Sequence, residues 1–170
     1  MAQKKDKIAQ DSFFISPSRG RMSFDNIIYD LVDFMEALPK NKYVVVVGTD
    51  SKLYFDETTF VSVIFIHRVG KGARYFWQKC RKKIGRELRP RIYEETALSL
   101  ELGQQLLRQL KKALHNAKLN YDFEIHVDIG EKGPTKEMIR EIVGMIEGNG
   151  FVARYKPLSY GASTVADKHT

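Results

Sequence analysis

VVVVGTDSK, Val44 to Lys52, sets four valines in a row just ahead of a carboxylate. Four consecutive β-branched residues read as a strand buried on both faces, where an ionised side chain is costly unless its charge is offset. Two readings fit Asp50. In one, the strand stops at Gly48 and Asp50 caps a turn. In the other, Asp50 is held at the strand end because it shares a site with other groups, and the neighbouring elements show which groups those are.

Upstream, Ser23 can cap a helix of about residues 23–38 in which Phe24, Ile27, Ile28, Leu31, Met35 and Leu38 recur at helical spacing before Pro39. Downstream, Phe60–Val69 and Arg74–Arg81 read as two more strands, joined through short polar and glycine-rich connections that imply an antiparallel meander. A long helical pattern then runs from about Arg91 to His115, with Ile92, Leu98, Leu102, Leu106 and Leu110 along one stripe. A fourth strand in DFEIHVDIG leads through EKGP into a helix with Pro134 in its first turn, a fifth strand lies in FVARYKP, and SYGASTVADKHT forms a short last helix. The order β-β-β-α-β-α-β-α, preceded by an extra N-terminal helix, predicts an α/β fold with a five-stranded mixed sheet and helices on its faces.

The chain of 170 residues suits one domain, expected over 13–170, with 1–12 (MAQKKDKIAQDS) as a disordered polar tail that lacks the apolar core of a signal peptide. No apolar run approaches the ~20 residues needed to span a bilayer. Cys80 is the single cysteine, so an internal disulfide and a Cys-based zinc site are excluded, and a reducing cytoplasm is the expected setting. A net charge of +7 favours an anionic partner.

In this topology the first and fourth strands lie side by side, and each ends on an aspartate after an apolar run, Asp50 and Asp128. Two carboxylates about 4 Å apart at an effective dielectric of ~20 repel by about 4 kcal/mol, so either one takes a proton or a cation sits between them. Mg²⁺, which takes one or two carboxylates plus waters and substrate phosphates, is the simplest such cation. Glu95 lies on the stripe of the long helix that faces the sheet, where it is either a third ligand or a favourable partner of the helix dipole, while Glu94 points off that stripe. Asp167, in TVADKHT, is the fourth candidate.

The motifs GTDSK, HRVGKGARYF, EETALSLELG, HVDIG, EIVGMIEGNGF and KPLSYGASTVADK resemble the bacterial YkuK-type family within the ribonuclease H-like superfamily, over about Phe14 to Lys168. The superfamily carries four acids in this order on these elements. The resemblance implies two-metal phosphodiester hydrolysis with Mg²⁺ or Mn²⁺, two ions being held when substrate is bound. Asp50 would bridge both ions, Glu95 and Asp128 would flank them, and Asp167 would complete the second position. This chain departs from ribonuclease H in having Ser51, not glycine, after the first aspartate.

The expected activity is that of a metal-dependent nuclease on RNA or RNA-containing duplexes. A non-catalytic nucleic-acid or ribonucleoprotein binding module and a small-nucleotide phosphohydrolase are the alternatives. KCRKKIGRELRPR, Lys79 to Arg91, holds seven basic residues in thirteen: Lys79, Arg81, Lys82, Lys83, Arg86, Arg89 and Arg91. It reads either as a solvated face or, because it leads into the helix bearing Glu95, as a grip on the phosphate backbone. Tyr75 and Trp77 alternate with Lys79 and Arg81, as base-stacking residues or as edge-strand aromatics packed by the N-terminal helix. GEKGPTK lacks the ending of a phosphate-binding loop and reads as a turn. No Asp-His arrangement is evident around Ser99, Ser159 or Ser163, so serine nucleophile chemistry has no support. His126 and His169 lie two residues from candidate ligands, as proton shuttles or incidentally.

Overall fold

The computed structural model describes residues 13–170; the expected N-terminal tail lies outside the described residues. Its elements are β1 (Phe14–Ser16), β2 (Gly20–Met22), α1 (Phe24–Glu36), β3 (Lys42–Tyr54), β4 (Glu57–Arg68), β5 (Ala73–Lys82), α2 (Leu88–Ala113), β6 (Asn120–His126), α3 (Ile139–Gly148) and β7 (Val152–Arg154). The chain closes with a π-helical turn, Gly161–Ala166, that runs into a 3₁₀ turn, Asp167–His169.

The strands form one mixed sheet in the order β2-β1-β5-β4-β3-β6-β7. Its five-strand centre is the mixed sheet expected from sequence, the β3–β5 meander with β6 and β7 added in parallel. A hairpin of two three-residue strands extends it, joined at Ile15↔Trp77, so β5 is not an edge strand. Such strands are too short to show a period.

Period-2 alternation assigns the two faces. Val45, Val47, Ile64, Ile66, Phe76 and Ile125 pack in one cluster with buried residues of α1, α2 and α3. All three α-helices therefore cover the same face, not both as expected. On α2, Leu106 and Leu110 are fully buried in that cluster, each contributing roughly 2 kcal/mol. The opposite face, with Val61 and Val63, is covered by Val165 and Ala166 of the closing turns.

Two charged anchors fix α1, which starts on the Ser23 cap as expected and has no basic residue in its last turn. Arg68 of β4 supplies the missing cation there, its Nη2 donating to the Phe34 carbonyl at 2.5 Å. The buried Asp30 receives Arg74 of β5 at 2.9 Å and Arg19 of the β1–β2 hairpin at 3.0 Å. Pro134 does not open α3, which begins at Ile139 after a 3₁₀ turn at Lys136–Met138. No helix among the described residues is long and apolar enough to cross a membrane.

Candidate active site

The site is built where two strands of unequal length lie side by side. Parallel pairing between β3 and β6 ends at Gly48↔His126, but β3 continues to Tyr54 because its other edge stays paired with β4 as far as Tyr54↔Glu57. Asp50 is thus inside a strand, not at its end. It lies two residues beyond Gly48, and Asp128 lies two beyond His126, so the two reach the same level from adjacent strands. Among the described residues the β3 edge facing β6 has no ladder partner at that level, which lets groups from both faces of the sheet approach it.

From the helical face comes Glu95, buried to 5% exposure. The Ser51 hydroxyl donates to its Oε1 at 2.5 Å, and Arg91, one turn earlier on α2, donates from Nη2 to the Ser51 carbonyl at 2.9 Å. Ser99, one turn later, donates to Thr49 at 2.9 Å, so the α2 stripe changes from apolar to polar as it nears the site. Burial above all, and then the charges of Asp50 and Asp128, push the Glu95 carboxyl up to about 8, against the lowering effects of the Ser51 hydroxyl and Arg91. Glu94 points away and pairs with Lys82.

From the other face comes Asp50, pushed up to about 6 mainly by burial and further by Asp128 and Asp167, against the lowering effects of the Ser51 backbone N–H and Arg91. Asp50 is therefore near enough to feel the charges of Asp128 and Asp167, and Glu95 those of Asp50 and Asp128. Among the described residues, however, no three His, Cys, Asp or Glu side chains are gathered tightly enough to hold a metal ion. The contacts give a reason: Glu95 is turned to Ser51, and Asp128 Oδ1 is 3.0 Å from the Lys156 ammonium.

Asp167 is positioned by residues whose role was not legible. His126 is fully buried, its Nδ1 accepting the Gly161 N–H at 3.1 Å and its Nε2 lying 2.9 Å from Glu124. With Nδ1 as acceptor, the ring proton resides on Nε2 and is donated to Glu124, and burial lowers the His126 pKa below its usual 6.5. His126 is a strut for the closing turns. A Cβ at Gly161 would stand 2.6 Å from Val46 Cγ1 and 3.2 Å from His126 Nδ1, so only glycine permits this approach. His169 stacks on Trp77 at 4.5 Å and 15°, with its Nε2 3.2 Å from the Tyr75 hydroxyl. Tyr75 and Trp77 of β5 are packed by the end of the chain, not by the N-terminal helix.

The basic run divides. Lys82 pairs with Glu94, Arg89 with Glu141 at 2.7 Å, and Arg91 is committed to Ser51. Lys83 and Arg86 are exposed in the β5–α2 connection. Lys79 and Arg81 lie on β5 in register with β4 and β3: Asp50, Val61 and Lys79 form one row and Lys52, Thr59 and Arg81 another on the same face. Lys79 and Arg81 line a cleft of about 450 Å³ with Thr59, Tyr54, Phe55 and Thr170, and with Asp56 and Glu57 at the hairpin tip.

A family model described as Ribonuclease H-like matches residues 26–170. The chain is 36% identical over 173 residues to Uncharacterized protein YkuK of Bacillus subtilis (strain 168), covering 94% of this chain and 98% of that one. The chain belongs to the ribonuclease H-like family. No solved structure matches it at a significant level. Within this ribonuclease H-like chain, Arg91 was expected only as part of the basic run; its i, i+4 spacing from Glu95 is the signal that could have paired the two.

Proposed function

We propose that this ribonuclease H-like protein is a Mg²⁺- or Mn²⁺-dependent nuclease that hydrolyses phosphodiester bonds in RNA or RNA-containing duplexes. The observation that supports the reading is the electrostatic coupling centred on Asp50, which feels Asp128 and Asp167 and acts on Glu95, with Asp50 and Glu95 raised mainly by burial and further by these acidic neighbours. An all-oxygen donor set under like-charge strain fits a hard divalent cation. When bound, two such ions lower the pKa of an attacking water and stabilise the leaving oxygen. Asp50, Asp128, Glu95 and Asp167 would hold them.

Other residues of the chain orient and bind. Ser51 and Arg91 orient the Glu95 carboxyl and oppose the rise of its pKa. Lys79 in the Asp50 row and Arg81 in the next, on the same face, would give the phosphate backbone a path beside Asp50. A non-catalytic nucleic-acid or ribonucleoprotein binding module is the second reading, favoured by the Lys156–Asp128 pair, which supplies a charge partner without any metal.

The test is cleavage of labelled single-stranded RNA, single-stranded DNA, both duplexes and an RNA/DNA hybrid in Mg²⁺, Mn²⁺, Ca²⁺ or chelator. Cutting of at least one RNA-containing substrate in Mg²⁺ or Mn²⁺, lost in Asp50→Asn and Asp128→Asn with binding retained, is the expected result. Tight metal-independent binding without cleavage of any substrate would select the binding module.

A further inference from the structure

Lys156 has no part in the nuclease reading so far, yet the fold builds a place for it. The segment after β6 runs on beside the segment after β7: the Val127 N–H donates to the Arg154 carbonyl at 3.0 Å, and the Lys156 N–H to the Ile129 carbonyl at 2.8 Å. These bonds bracket Asp128 and set Lys156 opposite it. Just beyond them comes Gly130, where an added Cβ would stand 3.2 Å from Lys156 Cβ and 3.5 Å from its Cδ. The absent side chain is the space the lysine stem crosses. Its ammonium arrives 3.0 Å from Asp128 Oδ1, with the lysine side chain still half exposed at 52%. A cation on a flexible stem, bound to one member of an acidic cluster and open to solvent, can leave without disturbing the core.

We propose that Lys156 is an exchangeable counter-ion and a phosphate-binding residue. In the metal-free protein its ammonium neutralises Asp128; once Asp128 turns to a divalent ion, the ammonium is released to a phosphate oxygen of the substrate strand. The proposal rests on the nuclease reading. It also accounts for the absence of a gathered three-acid cluster among the described residues, since Asp128 is turned to Lys156. Metal and nucleic acid then assist each other, because each removes a partner with which the other competes, and such coupling is reciprocal.

Lys156→Met keeps the stem over Gly130 and removes only the charge. Two titrations of the intact protein read the outcome: Mn²⁺ binding by calorimetry without nucleic acid, and binding of a single-stranded RNA oligonucleotide in chelator and in Ca²⁺. The variant should bind Mn²⁺ about 1.5- to five-fold more tightly, the range expected for loss of a half-exposed ion pair. It should also lose most of the gain in RNA affinity that Ca²⁺ gives the unaltered protein. Lys156→Arg should restore that gain. A merely structural lysine would not move the two affinities in opposite directions. Equal Mn²⁺ affinity in variant and parent overturns the counter-ion role while leaving the nuclease reading in place. An unchanged Ca²⁺ effect on RNA overturns the phosphate role. Absence of Mn²⁺ binding in both proteins overturns the proposal together with the nuclease reading.

Discussion

Asp50 and Ser51 are adjacent residues that serve opposite faces of one strand, and the chemistry of the site follows from that division. Asp50 and Glu95 are both raised, to about 6 and about 8 from ordinary values of 3.8 and 4.5. The folded protein therefore binds more protons than the unfolded chain between about pH 4 and pH 8, and the stability these groups contribute at acid pH is lost as pH rises through that window. His126 and His169, both lowered, act in the opposite sense below about 6.5, so the informative quantity is a difference between proteins. Asp50→Asn should melt higher than the parent in chelator at pH 8, by about 3 °C or more, and the gap should close toward pH 4.5. Glu95 should titrate lower in the variant, because one of the charges raising it is gone. Thermal melts across pH, with carboxyl chemical shifts for Glu95, check both; parallel melting curves would separate Asp50 from the acidic cluster.

At the level of elements, the strands of the meander and the apolar stripe of α2 were legible because β-branched runs and a 3.6 period report burial directly. Asp50 was placed at a strand end because a charge after four valines resembles a stop. In the fold, β3 continues because β4 supplies hydrogen bonds whatever the side chain. The closing turns were legible only as a short helix, since what fixes them is long-range: Gly161 against Val46 and His126, and Ala166 against Val61 and Val63. Gly161→Ala should accordingly destabilise the protein by about 1–3 kcal/mol through overpacking. In the nuclease reading it should also lower activity beyond what the stability loss explains, because the turns it displaces carry Asp167. Cleavage rates well below the melting transition measure the second effect; full activity at that temperature would show that Asp167 is dispensable.

Over the whole molecule, charge was the least legible property. A run of seven basic residues in sequence becomes separate groups in space, because Glu94 and Glu141 pair with Lys82 and Arg89 and β5 places Lys79 and Arg81 on the Asp50 face. The distribution of helices was also hidden, since a stripe shows that a helix packs on the sheet and not on which side. Having all three α-helices on one face leaves the other to a few residues at the end of the chain, and this asymmetry has a consequence for the order in which parts of the molecule open. Segments with little apolar contact open without global unfolding, so amides of 161–170 should exchange with deuterium through a low-energy local opening, while those of β3 and β4 wait for the whole domain. Opening parts Asp167 from Asp50, and the repulsion between them grows as Asp50 ionises near pH 6. Protection factors of the closing turns, corrected for the intrinsic pH dependence of exchange, should therefore fall between pH 5 and pH 8 in chelator and hold steady in Asp50→Asn. A proton on Asp50 would then act as a clasp that keeps the last turns of the chain folded over the sheet.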